Sequence, residues 1–389
     1  MQTRSAHTTW QRLYAMLAGI AVAALVVLGT FVLLPPQSAH DDTIDYGYVY
    51  SGAKSSSVEF LRACLRDDSL LVLGSSEFST PADTVAQVPS QVFGTHNYGL
   101  HPMLVGEAFD QCLWHTMALG ALADGGLPKN KVALIVGLGQ YTDGGLDNSS
   151  FGERFSYTLY EGFCKNDAVP QEAKDYVLRR VEEQGIDATT VRAGHPTNLI
   201  EQIDGAVLGA MDSLRLRSRL GEVRAKGIPY ADGPLEQPNW DALREEALQV
   251  AQTKSTTNEW GAEDEFYTKQ LAPALDSLKD ARKDETYTQT PEYDDLACFL
   301  DVCDACGVQP LVIIEPVMGP YYDHIGISQE TREAAYQRIR DVVGAHEQAR
   351  LADFTSHEYD PYYLFDIVHF GWTGWIDAEQ ALYEFAMEA

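Results

Sequence analysis

A serine hydroxyl attacks a carbonyl carbon at neutral pH only when an imidazole takes its proton. The imidazole in turn needs a carboxylate to fix its tautomer and stabilise its charged form. Two stretches of this chain supply those groups. Leu70-Leu71-Val72-Leu73-Gly74-Ser75-Ser76-Glu77-Phe78-Ser79 runs four apolar residues into a glycine, two serines and an acid. Phe365-Asp366-Ile367-Val368-His369-Phe370-Gly371-Trp372 sets an aspartate three residues before a histidine, so that one turn of chain can place both on one face. The chemistry on offer is acyl transfer or ester hydrolysis through an acyl-serine. The plain alternative is an aspartate–histidine pair on a solvated loop, because D-x-x-H alone has little specificity.

The elements around these residues say how they could meet. Leu70–Leu73 reads as a short buried strand that opens into a tight turn, and ligands in open α/β sheets gather outside the carboxyl ends of strands. Leu61–Leu65 leads towards it. Thr80–Gln91 reads as a loop, and Phe93–Gly99 as a turn-rich approach to the same end of the sheet. Gly106 and Glu107 open a helix running to about Leu122, with Phe109, Leu113, Met117 and Ala121 on its packed face. Lys131–Gln140 is the clearest buried strand and ends in glycines and a glutamine. Residues 151–290 read as a mainly helical insertion, with Gln171–Glu183 and Leu199–Ala225 as helices and Tyr230–Trp260 as an acidic, loop-rich stretch. Gln309–Pro316 resumes the sheet, Ser328 caps a helix, Arg350–Phe354 is a last strand, and a C-terminal helix begins at Asp377. Strands alternating with helices predict an α/β domain with a mostly parallel sheet flanked by helices.

Composition narrows the function. The chain has 389 residues and a formal charge of -29, from 57 acids against 28 bases. A basic face for phosphate contacts is lacking, which argues against nucleic-acid binding. Leu13–Leu34 is an uncharged run of 22 residues that ends at Pro35-Pro36, long enough to cross a bilayer. Arg4 and Arg12 precede it and Asp41, Asp42 and Asp45 follow, which predicts a single-pass anchor with its N-terminus in the cytoplasm. A cleaved signal is the rival, with Gln37-Ser38-Ala39 as a poor cleavage site. The expected organisation is a cytoplasmic tail at 1–12, a transmembrane helix at 13–34, a polar stem at 35–60 and an extracytoplasmic domain at 61–389.

Six cysteines, Cys64, Cys112, Cys164, Cys298, Cys303 and Cys306, match no small disulfide scaffold. Cys303-Asp304-Ala305-Cys306 sits on an amphipathic helix (Tyr293–Gly307) with no second pair or nearby histidines to complete a metal site. Buried, inert thiols are expected, with a local disulfide as the alternative. His96, His101, His115 and His324 have no metal spacing either, and read as polar packing residues. His96 and His101 flank an expected active-site loop. Glu77 is a turn carboxylate or a support for the site, and Trp372 and Trp375 are core residues or channel lining.

The order Ser, Asp, His is shared with α/β-hydrolases, but their G-x-S-x-G elbow is missing. A serine after the first strand with D-x-x-H near the C-terminus instead resembles the SGNH hydrolase superfamily. More specifically, Gly74-Ser75-Ser76-Glu77-Phe78 and Asp366-Ile-Val-His-Phe-Gly-Trp-Thr-Gly-Trp375 resemble the GSSE and DxxHxGWxGW signatures of the DltD family, whose members belong to D-alanyl-lipoteichoic acid synthesis. Pro316–Gly326 resembles that family's PVNxxWYDYTG segment, with Met318 in place of its asparagine.

The resemblance implies an SGNH-hydrolase-like (flavodoxin-like) fold and D-alanyl transfer onto teichoic acid outside the membrane. It also implies a membrane-bound O-acyltransferase partner that hands over the donor and a carrier protein that supplies D-alanine; no cofactor or metal is expected, since no residues have metal spacing. Aligned with the superfamily's Gly-Asp-Ser, Ser76 becomes the nucleophile and Ser75 the alternative. His369 is then the base and Asp366 its orienting partner. The oxyanion needs donors already aimed at it. The candidates are the Ser76 amide, the Gly106 amide at its helix start and the Gln140 side chain, with Gly99 behind Gly106. Gln140 lies where the family carries SPQWF. An esterase or thioesterase with the same triad, or a non-catalytic scaffold of the D-alanylation machinery, are the other readings.

Overall fold

Four short, mostly apolar runs and a polar edge strand pair side by side, all parallel: β1 (Ser69–Leu73), β2 (His101–Val105), β3 (Lys131–Gly137), β4 (Gln309–Glu315) and β5 (Arg350–Asp353). In the computed structural model they lie in the order β2-β1-β3-β4-β5. The first four are almost wholly buried, because helices cover both faces of the sheet. Successive side chains point to opposite faces. Leu71, Leu73, Leu134 and Ile314 therefore join one core, while Leu70, Val72, Ile135 and Ile313 join the other. The structure describes residues 3 to 388 apart from 35, 37 and 38, without the side chains of residues 3–9, 23, 27, 28, 30 and 31.

The apolar N-terminal run forms α1 (Thr3–Leu33). Among the described residues no helix is long and apolar enough to cross a membrane. The signal-cleavage reading at Gln37-Ser38-Ala39, and residue 35 of the proline pair, fall outside the described residues. The first core is closed by α2 (Cys112–Ala123), α3 (Tyr157–Lys165), part of α4 (Leu199–Lys226), α5 (Glu292–Cys306) and α6 (Gln329–Gly344). The second is closed by α7 (Trp372–Met387) and the helix Trp240–Lys254. Ser328 caps α6, accepting from the Thr331 amide at 3.1 Å, and Gly307 ends α5 in the left-handed region.

Several boundaries differ from expectation. His101–Val105 is a strand that the sequence reading left out. The helix expected from Gly106 begins only at Cys112, because Gly106 (φ +147°) and Phe109 (φ +74°) lie outside helical geometry. Within that turn the Glu107 amide donates to Asp110 Oδ2 at 2.6 Å. The polar stem is part of the domain from about residue 44, with Tyr46, Val49, Ala53 and Phe60 buried in the first core. Leu61–Leu65 belongs to the helix Val58–Cys64, not to a lead-in segment. Helix α7 starts five residues before Asp377, at Trp372, and Tyr230–Trp260 contains the Trp240–Lys254 helix.

The stretch 151–290 is mainly helical, yet Phe151, Leu159, Val177 and Val223 share the core of α2 and the sheet. Its two-residue strand Ile228–Pro229 pairs with Ile44–Asp45. It is thus woven into the domain. All six cysteines are free and five are buried, which removes the local disulfide. Burial pushes the Cys64, Cys164 and Cys298 thiols up to about 12.

Candidate active site

The strand order reverses direction between β1 and β3, and the crevice at such a switch point opens at the strands' carboxyl ends. Strand β1 runs out at Leu73 into Gly74, whose amide still pairs with the Val105 carbonyl at 3.2 Å. A Cβ at Gly74 would lie 2.0 Å from Glu77 Oε1, so a larger residue here would push the Glu77 carboxylate away from the Ser75 amide it accepts. Ser76 then begins a single 3₁₀ turn, Ser76–Ser79. The two serine hydroxyls part company here. Ser75 Oγ donates to the Glu107 carbonyl at 3.2 Å, while Ser76 Oγ lies 2.8 Å from His369 Nε2.

His369 sits in a narrow loop closed by a Leu364–Phe370 bridge and by the Phe365 amide donating to the His369 carbonyl at 3.1 Å. Inside it, Asp366 Oδ1 accepts the Val368 and His369 amides at 2.9 and 2.8 Å. Asp366 Oδ2 lies 2.7 Å from His369 Nδ1. A carboxylate at that position accepts from Nδ1–H, which leaves Nε2 to accept from the Ser76 hydroxyl. Remote parts of the chain grip the loop from outside. Met318 donates its amide to the Ile367 carbonyl at 3.0 Å and Glu263 its amide to the Phe365 carbonyl at 2.8 Å. Glu315, the last residue of β4, accepts the Phe370 amide at 2.6 Å.

Electrostatics bias the imidazole towards its charged form. Burial alone would lower the His369 pKa, but the Asp366 charge and hydrogen bond, with the Glu77 charge, outweigh it and raise the value above 6.5. Three further acids crowd the site: Glu77, Asp110 and Glu315, exposed by only 4%, 2% and 5%. Burial raises all three, most strongly Asp110 and Glu315, and the like charge of Glu77 adds to the rise at both of these. Glu77 also accepts the Ser75 amide at 2.6 Å.

A family model described as DltD protein matches residues 50–387. The chain belongs to the DltD family. It is 28% identical to Protein DltD of Bacillus subtilis (strain 168) over 332 residues, 82% of this chain and 83% of that protein. It is 24% identical to Protein DltD of Staphylococcus aureus (strain NCTC 8325 / PS 47) over 306 residues, 76% and 75% of the two chains. Protein DltD of Lacticaseibacillus rhamnosus is 20% identical over 387 residues, 94% of this chain and 90% of that one.

In this DltD family member Ser76 and His369 open on a cleft of about 210 Å³, walled also by Ser75, Gln140 and Glu315 among others. Gln140 folds back so that its Oε1 accepts the Gly137 amide at 3.4 Å, which turns its NH₂ group the other way. Gly106 is absent from the cleft wall, and its amide donates to Ser55 Oγ at 3.3 Å. It stands at no helix start. Its role is spatial: a Cβ there would lie 1.9 Å from the Gly74 carbonyl oxygen, so Gly106 lets the end of β2 run close under the Gly74–Ser76 turn. Gly99 precedes β2, at the opposite, amino-terminal edge of a parallel sheet, with His96 and His101; none of them approaches the triad. His101 lies 3.4 Å from both Asp45 and Asp68. His115 lies beneath the site, its Nε2 2.9 Å from the Gly74 carbonyl, and burial lowers it to about 4. His324 Nε2 lies 2.7 Å from the Leu275 carbonyl. Trp372 and Trp375 are buried in the second core.

Three residues of the cleft escaped the sequence reading. Phe109 was assigned to a packed helix face; it is 53% exposed at the mouth of the cleft, in the left-handed region that few bulky residues adopt. Asp110 hid in the same misread helix. Glu315 carried a usable signal, an acid ending an otherwise apolar strand just where the strand's carboxyl end must be.

Proposed function

We propose that this chain is a membrane-anchored extracytoplasmic serine acyltransferase that moves D-alanyl groups onto teichoic acid. The observation that carries the reading is the unbroken line Ser76 Oγ, His369, Asp366 at 2.8 and 2.7 Å, open to a cleft. His369 Nε2 takes the Ser76 proton as Oγ attacks the D-alanyl carbonyl. The C–O bond forms, and the tetrahedral oxyanion is held by the Ser76 amide and the Gln140 NH₂ group. Collapse breaks the bond to the donor's leaving atom, which departs with the proton from His369. A polyol hydroxyl of the acceptor then gives His369 its proton and attacks the acyl-serine. Collapse of the second intermediate frees Ser76, which recovers the proton. Transfer over hydrolysis requires the acceptor hydroxyl to be positioned better than water.

Membership of the DltD family supports the place in D-alanylation. The proposal extends to a membrane-bound O-acyltransferase partner that presents the donor, with a carrier protein behind it. The uncharged run 13–34 and its flanking charges support the anchor, with the N-terminus cytoplasmic and the catalytic domain outside.

The test is a fluorophosphonate probe on the full chain in detergent. Ser76 takes the label, and Ser76→Ala and His369→Ala abolish it. In cells, Ser76→Ala at normal abundance removes D-alanyl esters from the envelope. Unchanged ester content in that strain, or no labelling of the parent chain, refutes the proposal and leaves a scaffold. Purified donor and polyol acceptor then separate transfer from hydrolysis by product partition.

A further inference from the structure

Helix α4 is buried on one side only. Gly205, Ser213, Leu216, Arg217, Leu220 and Val223 face the domain. Leu199, Ile200, Ile203, Val207 and Met211 are 69%, 71%, 53%, 53% and 62% exposed. At about 100° per residue these five form one stripe, roughly opposite the buried face and about 18 Å long. Leaving α1 aside, no other helix among the described residues presents two large apolar side chains to solvent. A lone exposed leucine needs no explanation, but a contiguous apolar stripe marks a contact surface.

Two observations say what covers it. Arg217 Nη2 donates to the Leu34 carbonyl at 2.6 Å, and Arg224 lies 3.6 Å from Asp41. The chain therefore leaves apolar helix α1 along the flank of α4. In addition, the last turns of α4 hold Arg215, Arg219, Arg224 and Lys226 at half-buried or exposed positions, in a chain where 57 acids outnumber 28 bases. A basic segment beside an apolar span is the charge pattern that anionic headgroups attract. Helices that combine such a segment with an apolar face lie in the membrane interface.

We propose that α4 rests on the outer surface of the bilayer that α1 enters. The Leu199–Met211 stripe seats among the upper acyl chains, and the basic C-terminal turns meet anionic headgroup phosphates. This rests on the anchor reading given above and adds a second contact to it. One spanning helix fixes a point on the membrane, whereas two contacts fix the tilt of the domain and of the cleft it carries.

The experiment places single cysteines in the full chain carrying Cys306→Ser, each labelled with an environment-sensitive fluorophore. The chain is reconstituted alone in phosphatidylcholine–phosphatidylglycerol vesicles that contain lipid with a spin label on its acyl chain. The sites are Ile203→Cys and Val207→Cys on the stripe, Leu25→Cys in α1, and Glu222→Cys on an exposed polar position of α4. The expected result is at least twofold quenching at 203, 207 and 25, with 222 little changed. If 25 is quenched while 203 and 207 match 222, the lipid contact is overturned, the anchor stands, and the stripe is the face of a protein partner. If 203 and 207 are quenched without 25, the lipid contact holds and the anchor fails. If none is quenched, both readings fall.

Discussion

Replacing Asp366 by asparagine changes one oxygen for an NH₂ group, and the surrounding hydrogen bonds dictate which. Oδ1 accepts two amides, from Val368 and His369, at 2.9 and 2.8 Å. The asparagine oxygen must stay there, because NH₂ facing two N–H donors would leave three buried donors without an acceptor. Its NH₂ group therefore takes the Oδ2 position, 2.7 Å from His369 Nδ1, and donates to it. The imidazole proton moves to Nε2, which then points a donor at Ser76 Oγ and cannot accept its proton. Loss of the correct tautomer costs about 10⁴-fold in rate, or about 5.5 kcal/mol at 1.36 kcal/mol per tenfold.

A second consequence is visible in the pH profile. The base works only when neutral, so labelling of the parent rises with pH through a His369 pKa held above 6.5. With Asp366 neutral, burial is opposed by Glu77 alone, and the acid limb moves to lower pH while the plateau drops. The assay is the second-order rate of fluorophosphonate labelling from pH 5 to 9 on parent and Asp366→Asn chains. Both backbone contacts survive in the variant, so its melting temperature stays close to the parent's. A variant that labels within tenfold of the parent, with its acid limb unmoved, refutes the role of His369 as base.

Ser75→Ala keeps labelling within tenfold of the parent, because its hydroxyl is turned to the Glu107 carbonyl; loss comparable to Ser76→Ala would reassign the nucleophile. Gln140→Ala lowers kcat by about 10²- to 10³-fold with KM little changed, since its donor serves only the oxyanion; a change confined to KM would place Gln140 in ground-state binding. Gly106→Ala puts a Cβ 1.9 Å from the Gly74 carbonyl at φ +147°, which costs about 3 kcal/mol or more of stability, read in urea melts. His115, buried and lowered to about 4 from 6.5, stabilises the fold fully above pH 6.5 and loses that contribution as the pH falls towards 4, because the unfolded chain binds the proton first. The loss is about 3 kcal/mol, and His115→Gln should flatten the fall in stability between pH 7 and 4.5; an unchanged slope rules out a neutral buried imidazole.

How much of this was legible depended on how local each signal was. Strands β1, β3 and β4 are dense apolar runs bounded by turn residues, and such runs identify themselves without help from the rest of the chain. His101–Val105 does not, since a histidine and a proline open a strand of only five residues. Its assignment comes from the parallel register against β1 and from glycines at positive φ on either side, Gly99 and Gly106. Missing it shifted the next helix six residues early, which in turn hid Phe109 and Asp110. The start of α7 was misplaced for a related reason. Its cap is Gly371, whose Cβ would lie 2.6 Å from the Leu364 carbonyl carbon, a tertiary constraint that propensity cannot register.

The site itself divides along the same line. The aligned side chains Ser76, His369 and Asp366 were readable because their types are chemically scarce and their motifs compact. Apart from Glu77, their supports were not, because each is a backbone group or an acid delivered from far along the chain. Met318 shows why this matters for reading the family's motifs. It stands where DltD proteins of the PVN type carry asparagine, and a polar side chain there would suggest a role in the chemistry. In this chain the side chain is buried in the second core, and the position contributes its amide to the Ile367 carbonyl at 3.0 Å. Any residue except proline supplies that amide. The departure from the motif therefore leaves the grip on the Asp366–His369 loop intact, and the triad can close over a methionine.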